Sequence, residues 1–505
     1  MISIKKLLLS ASFLLFSMSL VEAQSGYFED ALRFSQFYST GSARVTGLGG
    51  AQMSLGGDIS NIHTNPAGLG FFRRSEFSIT PSFGSWTTET NYLDQIQENR
   101  TGNIAIPNLS LVISNPKGPL ETGAFRGGTF GISFNRTNHF NSNFGYFSDI
   151  EGQTSIIDAF IQNASGIPEN QIENFGLTGL AYNTFLINPI TEDASGNPIS
   201  NPSEYDSFVL GFPFQDESVI TEGRTTQTSL SYGANFNNKL FVGAGLGLTS
   251  ISYTSRKSYG EEFFNEPLQV TSIEEFLNIN GFGANLNLGV IYKPIDVVNL
   301  GFNFQSPTWY RLNEEYEASM INQFDNFYFE PEDITLGREE SSTPIILGTY
   351  NLNTPMRFSG GATFFAGKNG FITADIDFVD YSRGRINSRD FNPNDDNQEI
   401  RRLYGQTFNY RVGGEYRIDK FRFRAGYGFY GDPFRSSTFS RSTQQFSGGF
   451  GVRFEKFYVD AALMSMRFDQ LYNPYSVIEN GQEIGPIIEI RNNITNGMLT
   501  VGFNF

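Results

Sequence analysis

From residue 76 to the last residue, apolar and polar side chains alternate in fourteen segments of roughly 10 to 14 residues, the period of a strand whose two faces meet different surroundings. In one of the clearest, Phe408, Tyr410, Val412, Tyr416 and Ile418 share a face, and Thr407, Asn409, Arg411, Glu415 and Arg417 take the other. The next segment repeats the pattern: Phe421, Phe423, Ala425, Tyr427 and Phe429 oppose Arg422, Arg424, Gly426 and Gly428. Only Asp419 and Lys420 separate the two, the length of a hairpin turn. The pattern predicts strands at 76–86, 104–114, 125–137, 226–236, 240–253, 281–293, 297–306, 355–365, 370–381, 407–418, 421–430, 443–454, 457–468 and 494–505.

From the second strand onward, short turns alternate with longer connections at 138–225, 254–280, 307–354, 382–406 and 469–493, with shorter members at 87–103 and 431–442. Such alternation belongs to an up-and-down transmembrane barrel with tight periplasmic turns and extended outer loops. Hydrocarbon offers backbone amides no water, so strands crossing it must close on themselves. The expected fold is therefore all-β: a 14-stranded antiparallel transmembrane β-barrel over 75–505, with both termini in the periplasm. A soluble solenoid or sandwich would hide its apolar faces in a core and would not alternate its connection lengths.

Composition agrees with this and narrows the chemistry. The 505 residues include 53 Gly, 51 Phe and 23 Tyr, with 17% charged residues and a net charge of −17. Aromatic excess with few charges suits an outer surface in hydrocarbon. No Cys and 2 His leave little for metal or redox chemistry, and no cofactor is expected. An acidic chain without a basic stripe is not a nucleic-acid binder. Lys5 and Lys6 precede the apolar run Leu7 to Leu20, and Ala23 ends a small-residue cleavage site, so residues 1–23 read as a secretory signal peptide. The run is too short for a membrane helix, and the destination implied is the bacterial outer membrane.

Residues 24–74 do not alternate. They carry Ala43-Arg44, a Gly/Ala cluster from Gly47 to Ala51, Asp58-Ile59-Ser60 and Asn65-Pro66-Ala67-Gly68-Leu69. This order, followed at once by a barrel, resembles the N-terminal hatch of the FadL family of outer-membrane transporters for hydrophobic compounds. The resemblance implies a plug in the lumen and passive passage of long-chain fatty acids or aromatic hydrocarbons. It also implies a lateral gap at a kinked third strand; here alternation breaks between Asn138 and Gly145. The ending Leu499, Val501, Phe503, Phe505 resembles the C-terminal signal read by the barrel-assembly machinery. A second reading within the family is a docking or shuttle component for a secreted protein, held by the oversized loops. An outer-membrane enzyme is not expected: His63 and His139 lack a supporting triad.

Candidate site residues follow from these expectations. Asn65, Pro66, Ala67 and Gly68 are the hatch residues that either dock the plug or move to open the lumen. Ile157, Phe160 and Ile161 sit at helical spacing in 138–225, and Pro168 is placed to open a further turn. Ser272 and Glu275 have capping-box spacing before Phe276, so two loop helices bearing Phe160 and Phe276 are expected either to frame an apolar cleft or merely to pack the loops together. On the inward face, Arg411, Arg422 and Arg424 are candidates to hold a ligand carboxylate. They share that face with Arg417, Arg453, Asp375, Asp377, Glu415 and Asp460, which would alternatively pair with them or pin the plug. Gly426, Gly428 and Gly431 match a dinucleotide-binding spacing but lie in a strand, so that reading fails. Asn394 to Asn397 form a polar run of the kind that also binds calcium.

Overall fold

The computed structural model describes residues 26–38, 41–118, 120–148, 152, 154–435 and 439–505, so the leader reading lies outside the described residues. Fourteen antiparallel strands close into a barrel. In chain order they are Glu76–Tyr92, Gln95–Pro116, Phe125–His139 continued by Ser142–Phe147, Phe214–Phe236, Leu240–Glu262 and Leu268–Ile295. The seventh is Val298–Gln305 with Trp309–Phe329, the eighth Ile334–Ser342, Ile346–Asn353 and Arg357–Phe365, and the ninth Gly370–Asp380 with Arg385–Ser388. Gln406–Ile418, Phe421–Tyr430, Thr443–Arg453, Phe457–Tyr472 and Ile488–Asn504 complete the wall. Closure is made by the first and last strands, with Phe77 opposite Phe503 and Glu89 opposite Arg491.

The two faces sort as the alternation requires. Ile104, Phe282 and Ile372 point outward and are 88%, 77% and 63% exposed, whereas Thr80, Asn108, Ser133 and Thr373 point inward and are buried. Pro307 and Pro355 interrupt the seventh and eighth strands side by side, because proline offers no amide to a ladder. Thr308 N there donates to Thr354 Oγ1 at 2.8 Å, and Thr354 N returns a bond to Thr308 O at 3.1 Å.

Several expected loops are strand instead. Most of 87–103, 254–280 and 307–354 continues the wall upward beyond the apolar band; in the last two the parity inverts, with Ile273, Tyr316, Met320 and Phe324 buried inward in a core and Glu274, Arg311, Asn313 and Glu317 exposed outward. Ser272 and Glu275 accordingly cap no helix: they stand opposite Ile321 and Ala318 in a ladder, and Phe276 stands opposite Glu317. The connection between third and fourth strands does form helices, Ile156–Ala164, Glu169–Ile172 and Gly176–Asn183, the first capped by Ser155 and the second opened by Pro168. Phe160 is 2% exposed in the core that joins these helices to the extended strands, so with Phe276 in a strand the expected cleft between two loop helices is absent. Asn394 to Asn397 begin the helix Asn394–Leu403.

Candidate functional site

Residues 41–72 fill the lumen as a plug made of short turns: a helix Ala43–Gly47 and two 3-10 helices, Ile59–Ile62 and Pro66–Phe71. Too short to bury a core alone, it is braced by its own polar side chains. Asp58 accepts from Ser42 Oγ at 3.0 Å and Ser60 N at 2.9 Å, and Arg44 lies 3.5 Å from it. Pro66 starts the last 3-10 helix, and Asn65 before it is extended with its side chain capping Ala67 N. Asn65 Nδ2 also donates to Met53 O at 2.6 Å, and Ala67 and Gly68 are buried. The Asn-Pro-Ala-Gly run thus packs against the wall, Pro66 at Gly233 and Gly243 and Asn65 at Gly289.

The barrel wall is shaped to receive this backbone. A side chain at Gly233 or Gly243 would overlap Pro66, one at Gly301 Met53, one at Gly413 Leu48, and one at Gly426 Gly49. Wall side chains then take the plug's backbone groups. Asp375 Oδ2 accepts from Gln52 N at 2.6 Å and Met53 N at 3.0 Å, Ser231 Oγ donates to Ile62 O at 2.5 Å, and Asn287 Nδ2 donates to Thr64 O at 2.6 Å. Removing such partners would leave buried amides and carbonyls unpaired.

Most of the inward charges pair with one another on the wall, and two of them, Asp375 and Glu415, also reach the plug. Arg411 grips Asp377 with two nitrogens at 2.5 and 2.8 Å and lies 3.9 Å from Asp375. Arg424 bonds Glu415 and Asp460, both at 2.7 Å; Arg417 shares Glu415, and Arg453 holds both oxygens of Asp460 at 2.9 Å. Arg44 reaches into that cluster at 3.6 Å from Glu415. Arg422 turns away and donates to Asp419 O and Phe421 O at the adjacent hairpin. The structure therefore places Arg411 and Arg424 on wall carboxylates, and Arg422 at the end of the barrel bearing the short turns.

Above the plug is a different set of groups. The helix Tyr27–Arg33 lies beneath the loop helix Asn394–Leu403, with Phe28 N donating to Asp396 at 3.1 Å and Asp30 accepting from Tyr350 at 2.5 Å. The first described residues therefore sit at the end of the lumen with the long connections, opposite Phe505. Below this helix, Phe34 to Phe37 border a cavity of about 70 Å³ together with His63, Tyr310, Tyr381 and Arg357. The Phe37 ring lies 3.6 Å from the Arg357 guanidinium. Arg357 also donates to Gln305, and among the described residues it makes no ion pair. Sequence reasoning passed over Arg357, although its parity was visible: with Ser359, Gly361 and Thr363 it takes the face opposite Phe358 and Phe364.

The same cavity reaches Thr137 and Asn138, where the third strand leaves the wall. The second and third strands pair from Pro116 opposite Gly127 up to Asn108 opposite Asn135, and no further. Register with the fourth strand then shifts between Arg136 and Asn138, a bulge. The continuation Ser142–Phe147 crosses behind the first strand, whose Thr90 Oγ1 donates to Gly145 O at 2.6 Å. Residues 95–107 of the second strand are left with one ladder neighbour, so a kink and a break in the wall stand where the alternation failed.

The family model described as outer membrane protein transport protein (OMPP1/FadL/TodX) matches residues 35–442. Among solved structures, a FadL homologue of Pseudomonas aeruginosa aligns with a TM-score of 0.56 at 14% identity, over 93% of this chain and 100% of that one. The toluene transporter TodX of Pseudomonas putida aligns with a TM-score of 0.52 at 12% identity, over 93% and 99%. No curated protein sequence matches. Plug, closed fourteen-strand wall and family match together make this chain a member of the OMPP1/FadL/TodX family of outer-membrane transport proteins.

Proposed function

We propose that the chain passes hydrophobic molecules with an anionic head, of the long-chain fatty acid kind, passively across the outer membrane, entering from the loops and leaving sideways at the third strand. The observation that carries the choice of ligand is Arg357: a lumenal guanidinium without an ion-pair partner among the described residues, under an aromatic ring, in a cavity that reaches the break in the wall. A toluene-like hydrocarbon has no use for such a group, whereas a carboxylate takes two parallel hydrogen bonds from it.

Volume decides what must move. A ligand site usually needs about 300 Å³ or more, against about 70 Å³ here, so Phe37 and its neighbours occupy the seat. The plug proper is tied by backbone bonds and ion pairs and has no comparable reason to shift. Displacement of residues 34–37 by the incoming chain, with 41–72 in place, is the economical sequence of events. Asn65 to Gly68 act as a dock in this reading, and Arg411 and Arg424 hold the wall.

Binding of a fluorescent fatty acid to purified protein in micelles tests this. Arg357→Gln is expected to weaken it by about 10- to 100-fold, the loss of one charge-assisted pair, while toluene binding is unchanged. Phe37→Ala is expected to tighten it. Equal affinity of wild type and Arg357→Gln for the fatty acid would refute the anionic-head reading.

A further inference from the structure

The outer surface of the wall carries a groove of about 900 Å³ across the first, second, thirteenth and fourteenth strands. Ladder register fixes its heights. Phe83 stands opposite Ile104 and Gly497, and Gly497 opposite Leu463, so the apolar sides form one row. One step up, Ser85 stands level with Gly102, Thr495 and Ser465, a floor of small and hydroxyl-bearing residues. Another step up, Arg100, Thr87, Asn493 and Arg467 share a row, with the two arginines three strand spacings apart, about 14 Å. Thr87 lies ten residues above Phe77, about 25 Å along the tilted barrel, so this row sits at the outer edge of the apolar band.

The groove therefore descends from a basic rim into an apolar trough, inside the part of the wall that hydrocarbon covers. Arg100 Nε donates to Ser85 Oγ at 2.7 Å, and neither Arg100 nor Arg467 is ion-paired among the described residues. In the next row up are Glu89, Glu98, Arg491 and Asp469, of which Glu89 and Arg491 pair at 3.0 Å. A carboxylate at the arginine row itself would cancel the rim, and none is there. Small residues in a membrane-facing wall leave a trough that an acyl chain fills, and a guanidinium at the headgroup level matches a phosphate.

We propose that this groove seats one lipid of the surrounding leaflet with a net-anionic phosphate headgroup, its acyl chain against Phe83, Ile104 and Leu463 and its phosphate at Arg100, in the row that also carries Arg467. One side of the seat, Arg100 to Ile104, lies on the stretch of the second strand that edges the break in the wall, on its outer face. Gly102 gives a clean way to close it, since a side chain there meets nothing within 4 Å of its first carbon and projects into the trough.

Native mass spectrometry of the full chain, delipidated in micelles and titrated with dipalmitoyl phosphatidylglycerol or dipalmitoyl phosphatidylcholine, tests the proposal. The expected result is one phosphatidylglycerol bound at least 10-fold more tightly than phosphatidylcholine. Arg100→Gln with Arg467→Gln should remove that preference, and Gly102→Leu should remove the bound lipid, while heat-modifiable gel migration shows the barrel folded in each. Inorganic phosphate should not compete. Equal retention of both lipids by wild type, undiminished binding in Gly102→Leu, displacement by equimolar oleate, or a dimer joined through this face would each overturn it.

Discussion

Glu217 lies well above the apolar band, 4% exposed, where a carboxylate finds few partners. Tyr472 donates to one oxygen at 2.7 Å, and the other has no partner. Burial is the chief cause that pushes this group up to about 7, opposed by the nearby Lys257 ammonium and the Tyr472 bond. The folded protein thus holds a proton that the unfolded chain releases near 4.5. The stabilising difference is complete below that value and is lost as pH rises through about 7, a change of about 3 kcal/mol. Protection factors over residues 142–147 and 214–220, exchange rates corrected for their intrinsic rise with pH, should therefore fall between pH 5 and 8, and Glu217→Gln should flatten that fall. A residue of this kind is illegible in sequence, because its burial is made by Tyr146 and Tyr472, which are far from it along the chain. Asn65 and Pro66 were legible because their effect is local: proline sets the backbone before it, and an asparagine there caps the turn that follows. Arg357 is intermediate, its inward parity plain and its lack of an ion pair among the described residues, with Asp377 nearby taken by Arg411, visible only in three dimensions.

At the scale of the strand, alternation located every membrane crossing because lipid on one side and a polar lumen on the other impose a period of two. It failed above the bilayer, where water bathes the outer face and the apolar side chains, such as Tyr316, Met320 and Phe324, turn inward to pack with the loops, the reverse of a lipid-facing strand. The capping-box spacing at Ser272 and Glu275 misled for the same reason: a local helix signal is outweighed by ladders on both sides, to the fifth and the seventh strands. The kink in the third strand was legible as a lapse in alternation. What was not legible is why the wall strands carry so many glycines. At Gly426 a side chain would occupy the place of plug backbone, specifically the carbonyl carbon of Leu48 and the amide nitrogen of Gly49, and backbone cannot step aside as a flexible side chain can. Gly426→Ala should leave the barrel closed and heat-modifiable while loosening the plug. Planar-bilayer recordings should then show larger or more frequent conductance steps than wild type, and an unchanged record would mean that the plug tolerates the shift.

For the molecule as a whole, the contrast is between a plug tied down and an N-terminal stretch that merely fills space. Between residues 41 and 72 the wall supplies partners to backbone groups at Gln52, Met53, Ile62 and Thr64, and a charge cluster holds Arg44. Breaking such attachments together would expose several buried polar groups at about 1 to 3 kcal/mol each, a barrier that passive diffusion has no energy source to overcome. Residues 34–37, by comparison, present the rings of Phe34 and Phe37, which in the proposed route an incoming acyl chain replaces like for like. The chain contains no cysteine, so a single engineered cross-link separates the two routes. Ser54 Oγ in the plug and Thr363 Oγ1 in the wall are 2.7 Å apart, close enough for a Ser54→Cys, Thr363→Cys pair to bridge with small adjustment. Fatty-acid uptake by cells carrying the oxidised variant should match the reduced one, because in the proposed route the cargo passes above a stationary plug to the break beside Asn108 and Asn135. If oxidation stops uptake and a reductant restores it, the plug itself is the gate, and the sideways route is wrong.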